Sequence, residues 1–279
     1  MQSSKMGDIL TIQSLSKGFS RQVKNSAGED IDEQYWVIHQ LFLNVPRGKV
    51  IALIGGNGAG KTTLFNIISG FIMPDSGSIL YKPDGKNLEL SGMSPHLITR
   101  AGIGRMFQDN HIFREMSVLD NMLVADSAYL AERPFRSLLF RNKARKEENC
   151  RLAKAKEIFE KVLGFDNPFW EKRELPAGNL SYGQQRLLGL ARLFMRNYKL
   201  LLLDEPTAGV NPEVIEQIKQ LILNFIKNNQ TVLLIEHNLE VVKDIADFCC
   251  YMENGRIALM GTPEDVINNN EVRKSYIGL

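Results

Sequence analysis

Residues 50–62 read Val50-Ile51-Ala52-Leu53-Ile54-Gly55-Gly56-Asn57-Gly58-Ala59-Gly60-Lys61-Thr62. An apolar run passes without a polar break into a glycine-rich turn and then a lysine. Such a run fits a short strand buried on both faces of a parallel sheet. The turn matches G-x-x-x-x-G-K-[ST], the pattern of a phosphate-binding loop. Glycines let the backbone curl and aim its N–H groups inward at an anion. A helix beginning near Lys61 would add the positive end of its dipole. The bland alternative is an ordinary glycine turn, and a strand before and a helix after weigh against it. The expected phosphate contacts are Gly55, Asn57, Gly58, Ala59, Gly60, Lys61, Thr62 and Thr63, with Lys61 on the β- and γ-phosphates of ATP and Thr62 on Mg²⁺.

Two more apolar runs end the same way. Leu200–Leu203 leads into Asp204 and Glu205, and Thr231–Ile235 leads into Glu236 and His237. Open α/β sheets bind ligands just past the carboxyl ends of their strands. Asp204 is therefore placed to hold the Mg²⁺ shell and Glu205 to polarise an attacking water. An acidic pair at a strand end is by itself most often a solvated turn, and this one draws its meaning from the loop upstream.

The rest of the chain bounds the class. Its 279 residues suit one large α/β domain or two small ones, and 44% hydrophobic residues allow a sizeable core. A net charge of +2 argues against a dedicated nucleic-acid binder. Cys150, Cys249 and Cys250 form no disulfide or zinc framework, and the adjacent pair reads as inert core in a reducing compartment. Met1–Ile9 lacks the apolar core of a signal peptide, and no run approaches the roughly 20 apolar residues of a membrane helix, so a soluble chain is expected.

Ile9–Leu15 and Trp36–Val45 read as strands, with Ser20–Tyr35, around Gly28, as a solvated hairpin loop. From about Asn110 to Met195 the chain reads mostly helical, interrupted at Pro134 and Pro168. Leu239–Phe248 reads as an amphipathic helix, and Tyr251–Met260 as a hairpin turned at Glu253, Asn254 and Gly255. The expected architecture is an α/β fold: a P-loop NTPase core with a mostly parallel sheet, an N-terminal antiparallel β region and an inserted helical subdomain. The core is assigned 1–108 and 196–279, and the helical subdomain 109–195.

Leu180-Ser181-Tyr182-Gly183-Gln184-Gln185 reads as an anion-binding helix start. Ser181 offers a hydroxyl, Gly183 permits close approach, and Leu187, Leu188, Ala191 and Met195 recur at helical spacing. A plain capped core helix is the alternative. Beside the phosphate-binding loop, this hexapeptide resembles the signature sequence of the ABC transporter ATPase family, and the resemblance spans almost the whole chain. Tyr182 stands where the family more often has glycine, as in some amino-acid importer subunits.

The resemblance implies further roles. Gln108 matches the glutamine that reaches Mg²⁺ and the attacking water, and His237 the switch histidine at the γ-phosphate. Ala208-Gly209-Val210-Asn211 resembles the loop that crosses to the partner subunit, with Asn211 where aspartate is commoner. Phe19 occupies the place of the aromatic that stacks on adenine; it could equally be a core residue, and Trp36 is the reserve. The family works as a two-subunit sandwich, so Ser181, Gly183 and Gln184 would contact ATP bound to the other subunit.

Phe107–Ala125, with Phe113-Arg114-Glu115-Met116-Ser117-Val118, and the tail from Gly261-Thr262-Pro263-Glu264 to Ser275-Tyr276-Ile277-Gly278-Leu279 resemble the ATPases of branched-chain amino acid importers. ATPases of urea uptake and lipopolysaccharide export share much of this. The implied partners are membrane permease subunits, a second ATPase subunit (self or a related paralogue) and a separate substrate-binding protein, at the inner face of the cell membrane. Asp109–Met122 would form the permease groove, using Phe113, Met116, Val118 and Met122, some of which would pack the subdomain instead. The basic cluster Arg133, Arg136, Arg141, Lys143, Arg145 and Lys146 reads as a solvated surface, with lipid headgroups as the functional option. Non-transport ABC ATPases of DNA repair or ribosomes carry coiled coils or two ATPase units in one chain, and this chain has neither. A nucleotide-dependent binder that barely hydrolyses is opposed by intact Gln108, Glu205 and His237.

Overall fold

The computed structural model describes residues 7–24, 30–109, 111–126, 141–162 and 169–277. Two sheets carry the strands. β1 (Asp8–Lys24), β2 (Asp30–Pro46), β4 (Ser76–Tyr81) and β5 (Leu88–Glu89) form an antiparallel sheet in the order β2-β1-β4-β5. The second sheet follows the order β10-β9-β3-β8-β7-β6. It comprises β3 (Val50–Ile54), β6 (Ile103–Met106), β7 (Leu200–Asp204), β8 (Thr231–Ile235), β9 (Phe248–Glu253) and β10 (Arg256–Gly261). β3 pairs in parallel with β8 and β9, and β7 with β8, while β10 closes the edge antiparallel to β9.

The three apolar runs are the strands expected of them. Every residue of β3, β7 and β8 is buried, which is why their sequences show no polar alternation. Period-2 geometry then divides their side chains between two cores. Ile51, Leu53, Leu233, Ile235, Cys250 and Met252 join Ile9, Ile12 and Ile38 of the antiparallel sheet and Leu64 and Phe65 of α1 (Lys61–Ile68). Ala52, Ile54, Cys249 and Tyr251 face the other way. They pack on Val242 of α7 (Leu239–Ile245), Val266 and Ile267 of α8 (Pro263–Ile267) and Val272 of α9 (Asn270–Ile277). Burial pushes the thiols of Cys249 and Cys250 up to about 12, so both stay protonated and inert, as expected.

Two expectations fail for local reasons. Ser20–Tyr35 is not all loop: the β1–β2 ladder continues through Lys24 opposite Asp30, and only 25–29 lie outside the described residues. Ser20–Gln22 and Asp32–Gln34 are polar and exposed in succession, so this part of the ladder shows no hydrophobic alternation; cross-strand pairs hold it, such as Arg21 donating to Glu33 Oε2 at 2.6 and 2.8 Å. The helix expected over Leu239–Phe248 stops at Ile245. Ala246 turns extended, and Asp247 ties the start of β9 to β3, accepting from Val50 N–H at 2.9 Å and Lys49 Nζ at 2.7 Å. The hairpin turn at Asn254 and Gly255 is as expected, both with positive φ. Ser76–Tyr81, Ile103–Met106, α2 (Pro95–Ala101) and α6 (Pro212–Lys227) carry structure where the sequence reading assigns no element.

The chain divides into two compact units, one of Met1–Arg105, Lys199–Glu205 and Asn229–Leu279, the other of Met106–Tyr198 and Pro206–Asn228. The second is wider than the expected 109–195 and takes in α6. Its described helices are α3 (Val118–Val124), α4 (Arg141–Glu157), a π turn at Ile158–Val162, α5 (Tyr182–Phe194) and α6. Pro134, Pro168, Arg133 and Arg136 lie outside the described residues, as do Gly278 and Leu279.

Candidate nucleotide site

In the first unit the loop from Gly55 to Gly60 sits between the end of β3 and α1. Its glycines are dictated by space as well as by dihedrals. Gly60 caps α1 at φ 102°, and a Cβ there would lie 2.7 Å from the Val37 carbonyl oxygen. A Cβ on Gly55 would lie 2.2 Å from the Met252 carbonyl oxygen. No side chain fits at either place without moving backbone.

Lys61 is only 7% exposed. Its Nζ donates to the carbonyls of Gly55 (2.8 Å) and Gly56 (2.9 Å), so the ammonium is folded against its own loop. Burial lowers its pKa, and the charges of Glu205 and Asp204 oppose that shift. Asn57, Gly58 and Thr62 are exposed, and Thr63 is half-buried. The result is a cation and a glycine-rich run of backbone at the start of a helix, the chemistry that suits phosphates.

Asp204 ends β7 fully buried. Its Oδ2 lies 3.5 Å from Arg105 Nη2, and Arg105 Nη1 also donates to Asn66 Oδ1 (2.8 Å) and Ser69 Oγ (2.6 Å) on the α1 side. Asp204 Oδ1 is buried without a hydrogen-bond partner. Burial raises the Asp204 pKa against the opposing charge of Arg105. An unpartnered carboxylate oxygen is an acceptor suited to a hard cation, and the Thr62 hydroxyl is a second. Among the described residues no cluster of three or more His, Cys, Asp or Glu could hold a metal by side chains alone. Mg²⁺ does not need one, because it commonly takes one or two protein ligands and completes its shell with water and substrate phosphates. The donor set fits it.

Glu205 follows in a left-handed conformation, φ 47°, held by its N–H donating to the Ile235 carbonyl at 2.9 Å. That conformation costs a non-glycine residue about 1–3 kcal/mol and turns the carboxylate out of the strand. Glu205 Oε1 lies 3.1 Å from His237 Nε2. His237 is placed by Glu236, whose buried carboxylate accepts from the N–H groups of His237 (3.0 Å) and Asn238 (3.2 Å). Lys61, Asp204, Glu205 and His237 thus belong to the same unit. Sequence reasoning missed Arg105 and the bracing role of Glu236, although Glu236 lies at a strand end it singled out.

Phe19 is half-buried, its ring centroid 6.2 Å from that of Tyr35, with Lys17 Nζ 5.5 Å over it. Trp36 sits opposite Gly18 and is 55% exposed.

The second unit holds the other predicted residues. Ser181 caps α5: its Oγ accepts from Gln184 N–H and its N–H donates to Gln184 Oε1, both at 3.3 Å, a complete capping box. A Cβ on Gly183 would lie 2.8 Å from Val214 Cγ2 of α6, so helix packing alone demands glycine there. The Tyr182 ring rests 3.5 Å from the Cβ position of Gly209, and Asn211 caps α6 by accepting from Val214 N–H at 2.9 Å. Gln108 is exposed. In the expected permease groove Val118 and Met122 are fully buried and belong to the core, while Phe113 is 48% exposed.

The family model for the ABC transporter matches residues 38–208, from β2 to just past the acidic pair. This chain belongs to the ABC transporter family. It is an ATP-binding, ATP-hydrolysing subunit of that family. The high-affinity branched-chain amino acid transport ATP-binding protein BraF of Pseudomonas aeruginosa is 39% identical over 85% of this chain and 89% of its own length. The LivG protein of Escherichia coli K12, named for the same transport, is 37% identical over 82% of this chain and 87% of its own length. The crystal structure of an ATP-binding cassette of an ABC transporter in its ADP conformation superposes with a TM-score of 0.76 at 30% identity, covering 98% of this chain and 99% of that one. Among the described residues of this ABC subunit no helix is long and apolar enough to cross a membrane.

Proposed function

We propose that this ABC subunit powers uptake of branched-chain amino acids through separate permease subunits at the inner face of the membrane, with a separate binding protein delivering the substrate. The observation that carries the hydrolytic part is Glu205 held 3.1 Å from His237 on the unit that also holds Lys61 and Asp204. The substrate class is supported by the 39% and 37% identity to BraF and LivG.

In this reading Lys61 leaves the Gly55 and Gly56 carbonyls for the β- and γ-phosphates of ATP, which the N–H groups of Asn57, Gly58, Ala59, Gly60, Thr62 and Thr63 line. Phe19, with Trp36 in reserve, supplies the aromatic face for adenine. Asp204 and Thr62 would hold Mg²⁺, with Gln108 the further ligand that the family resemblance implies, and the ion would offset the charge of the phosphates. Glu205 accepts the proton of the attacking water, and His237 fixes the Glu205 carboxylate and faces the γ-phosphate. The γ-phosphate needs donors on two sides, and the capped start of α5 supplies the second: Ser181, Gly183 and Gln184 act on ATP bound by a second ATPase subunit. Loss of the γ-phosphate removes those contacts and reopens the pair.

The test is uptake of labelled leucine by cells that contain the permease and binding protein but lack their own ATPase. The parent chain restores uptake and Glu205→Gln does not. Equal uptake with Glu205→Gln, or restoration for an unrelated solute but not for leucine, would overturn the reading.

A further inference from the structure

Arg186 lies on α5, one turn beyond the Ser181–Gln184 capping box, and has no exposure to solvent. A guanidinium presents its donors in a rigid planar fork, and burial is tolerable only where those donors meet acceptors. Arg186 Nε donates to the carbonyl of Pro206 at 3.2 Å, and Nη1 to the carbonyls of Phe107 (3.5 Å) and Gln108. These acceptors are backbone groups of two separate segments of the second unit. One segment ends in the expected water-positioning glutamine, and the other begins with the residue that follows Glu205.

We infer that Arg186 is a positioning residue that clamps the backbone at Gln108 and directly after Glu205 to the helix that begins at Ser181. The inference rests on the roles proposed above for Ser181, Gln108 and Glu205. Its content is coupling within one chain. Whatever moves the start of α5 moves the fork of Arg186, and with it the backbone of Phe107 and Gln108 and that of Pro206, the residue next to Glu205 in sequence. Hydrolysis at a subunit's own phosphate loop thereby depends on whether its own Ser181 is engaged. Lysine at this position keeps the charge but offers a single point of donation, which cannot span both segments as the fork does.

The test compares the full-length parent with Arg186→Lys and Arg186→Met by amide hydrogen exchange and by steady-state hydrolysis of Mg-ATP. In both variants exchange is expected to quicken by about tenfold or more in residues 106–109 and 206–211 while residues 55–62 are unchanged. KM is expected to stay within about threefold while kcat falls by about 10–100-fold, more for Met than for Lys. Unchanged exchange in either segment, or a raised KM with kcat kept, would overturn the clamp. Arg186→Lys guards against loss of folding in the Met variant. A parent chain that binds ATP but never hydrolyses it would count against the proposed site, and the exchange result would still decide Arg186 by itself.

Discussion

Glu205 Oε1 lies 3.1 Å from His237 Nε2, each residue standing just past the end of a neighbouring parallel strand. A carboxylate at this distance can accept from the imidazole N–H and adds the charge that a neutral amide or hydroxyl lacks. The left-handed backbone at Glu205 and the Glu236 carboxylate under His237 fix the two partners independently. Because they act as one unit, removing either should cost nearly as much as removing both. Glu205→Gln is expected to lower kcat by about 10²–10⁴-fold with ATP affinity retained. The double variant with His237→Ala should fall little further. Steady-state rates with a separate nucleotide-binding measurement check this; additive losses would show that the two residues act apart.

Lys61 links the phosphate cradle to stability. Burial lowers its pKa, so the folded state disfavours the charged form. The cost is present below the lowered folded value and relieved as pH rises from there towards 10.5, the ordinary lysine value, so stability gains with pH across that window. Lys61→Met is expected to melt at or slightly above the parent temperature at neutral pH, with the difference shrinking at alkaline pH. It should also lose the rise in Tm that ATP gives the parent. Thermal melts at several pH values, with and without ATP, read both effects.

Gly183 has a packing reason beside its proposed functional one. Gly183→Ala would put a Cβ 2.8 Å from Val214 Cγ2, and a β-branched side chain cannot step aside cheaply. The variant should lose about 1–3 kcal/mol in denaturant unfolding. Gly183→Ala combined with Val214→Ala should recover much of that loss but not the hydrolysis rate, which separates packing from ATP contact.

Phe113 is 48% exposed, and the Arg192 guanidinium lies 5.4 Å from its ring centroid. Phe113→Asp should leave ATP affinity and Tm close to the parent values and abolish co-purification with the permease. Retained co-purification would remove Phe113 from the docking surface.

The parts of the fold that read clearly from sequence are those where burial is symmetrical. β3, β7 and β8 are covered on both faces, so their apolar runs are unbroken and their polar termini stand out. In the β1–β2 arm Ser20–Gln22 and Asp32–Gln34 are exposed on both faces, so they follow cross-strand charge and carry no periodic signal. The end of α7 was equally hidden, because Phe248 continues an apolar pattern that the helix has already left; what ends the helix is Asp247, tied to the backbone of β3. In the candidate site, the phosphate loop, Asp204 and Glu205 announce themselves by spacing, and His237 by the family resemblance. Arg105 and Arg186 do not, since an arginine in a mixed sequence reads as solvated, and only the folded chain shows both to be buried against acceptors. The environment of Gly183 was legible only as freedom to approach, whereas its nearest neighbour is Val214.

The central claim is a nucleotide site completed by a second subunit. It is tested most directly by light scattering on the Glu205→Gln variant with and without Mg-ATP. With hydrolysis blocked, saturating Mg-ATP should shift the mass from monomer to dimer, and adding Ser181→Arg to the same chain should abolish the shift while leaving ATP binding intact. A mass that stays monomeric with ATP bound, or a dimer indifferent to both ATP and Ser181, would contradict it.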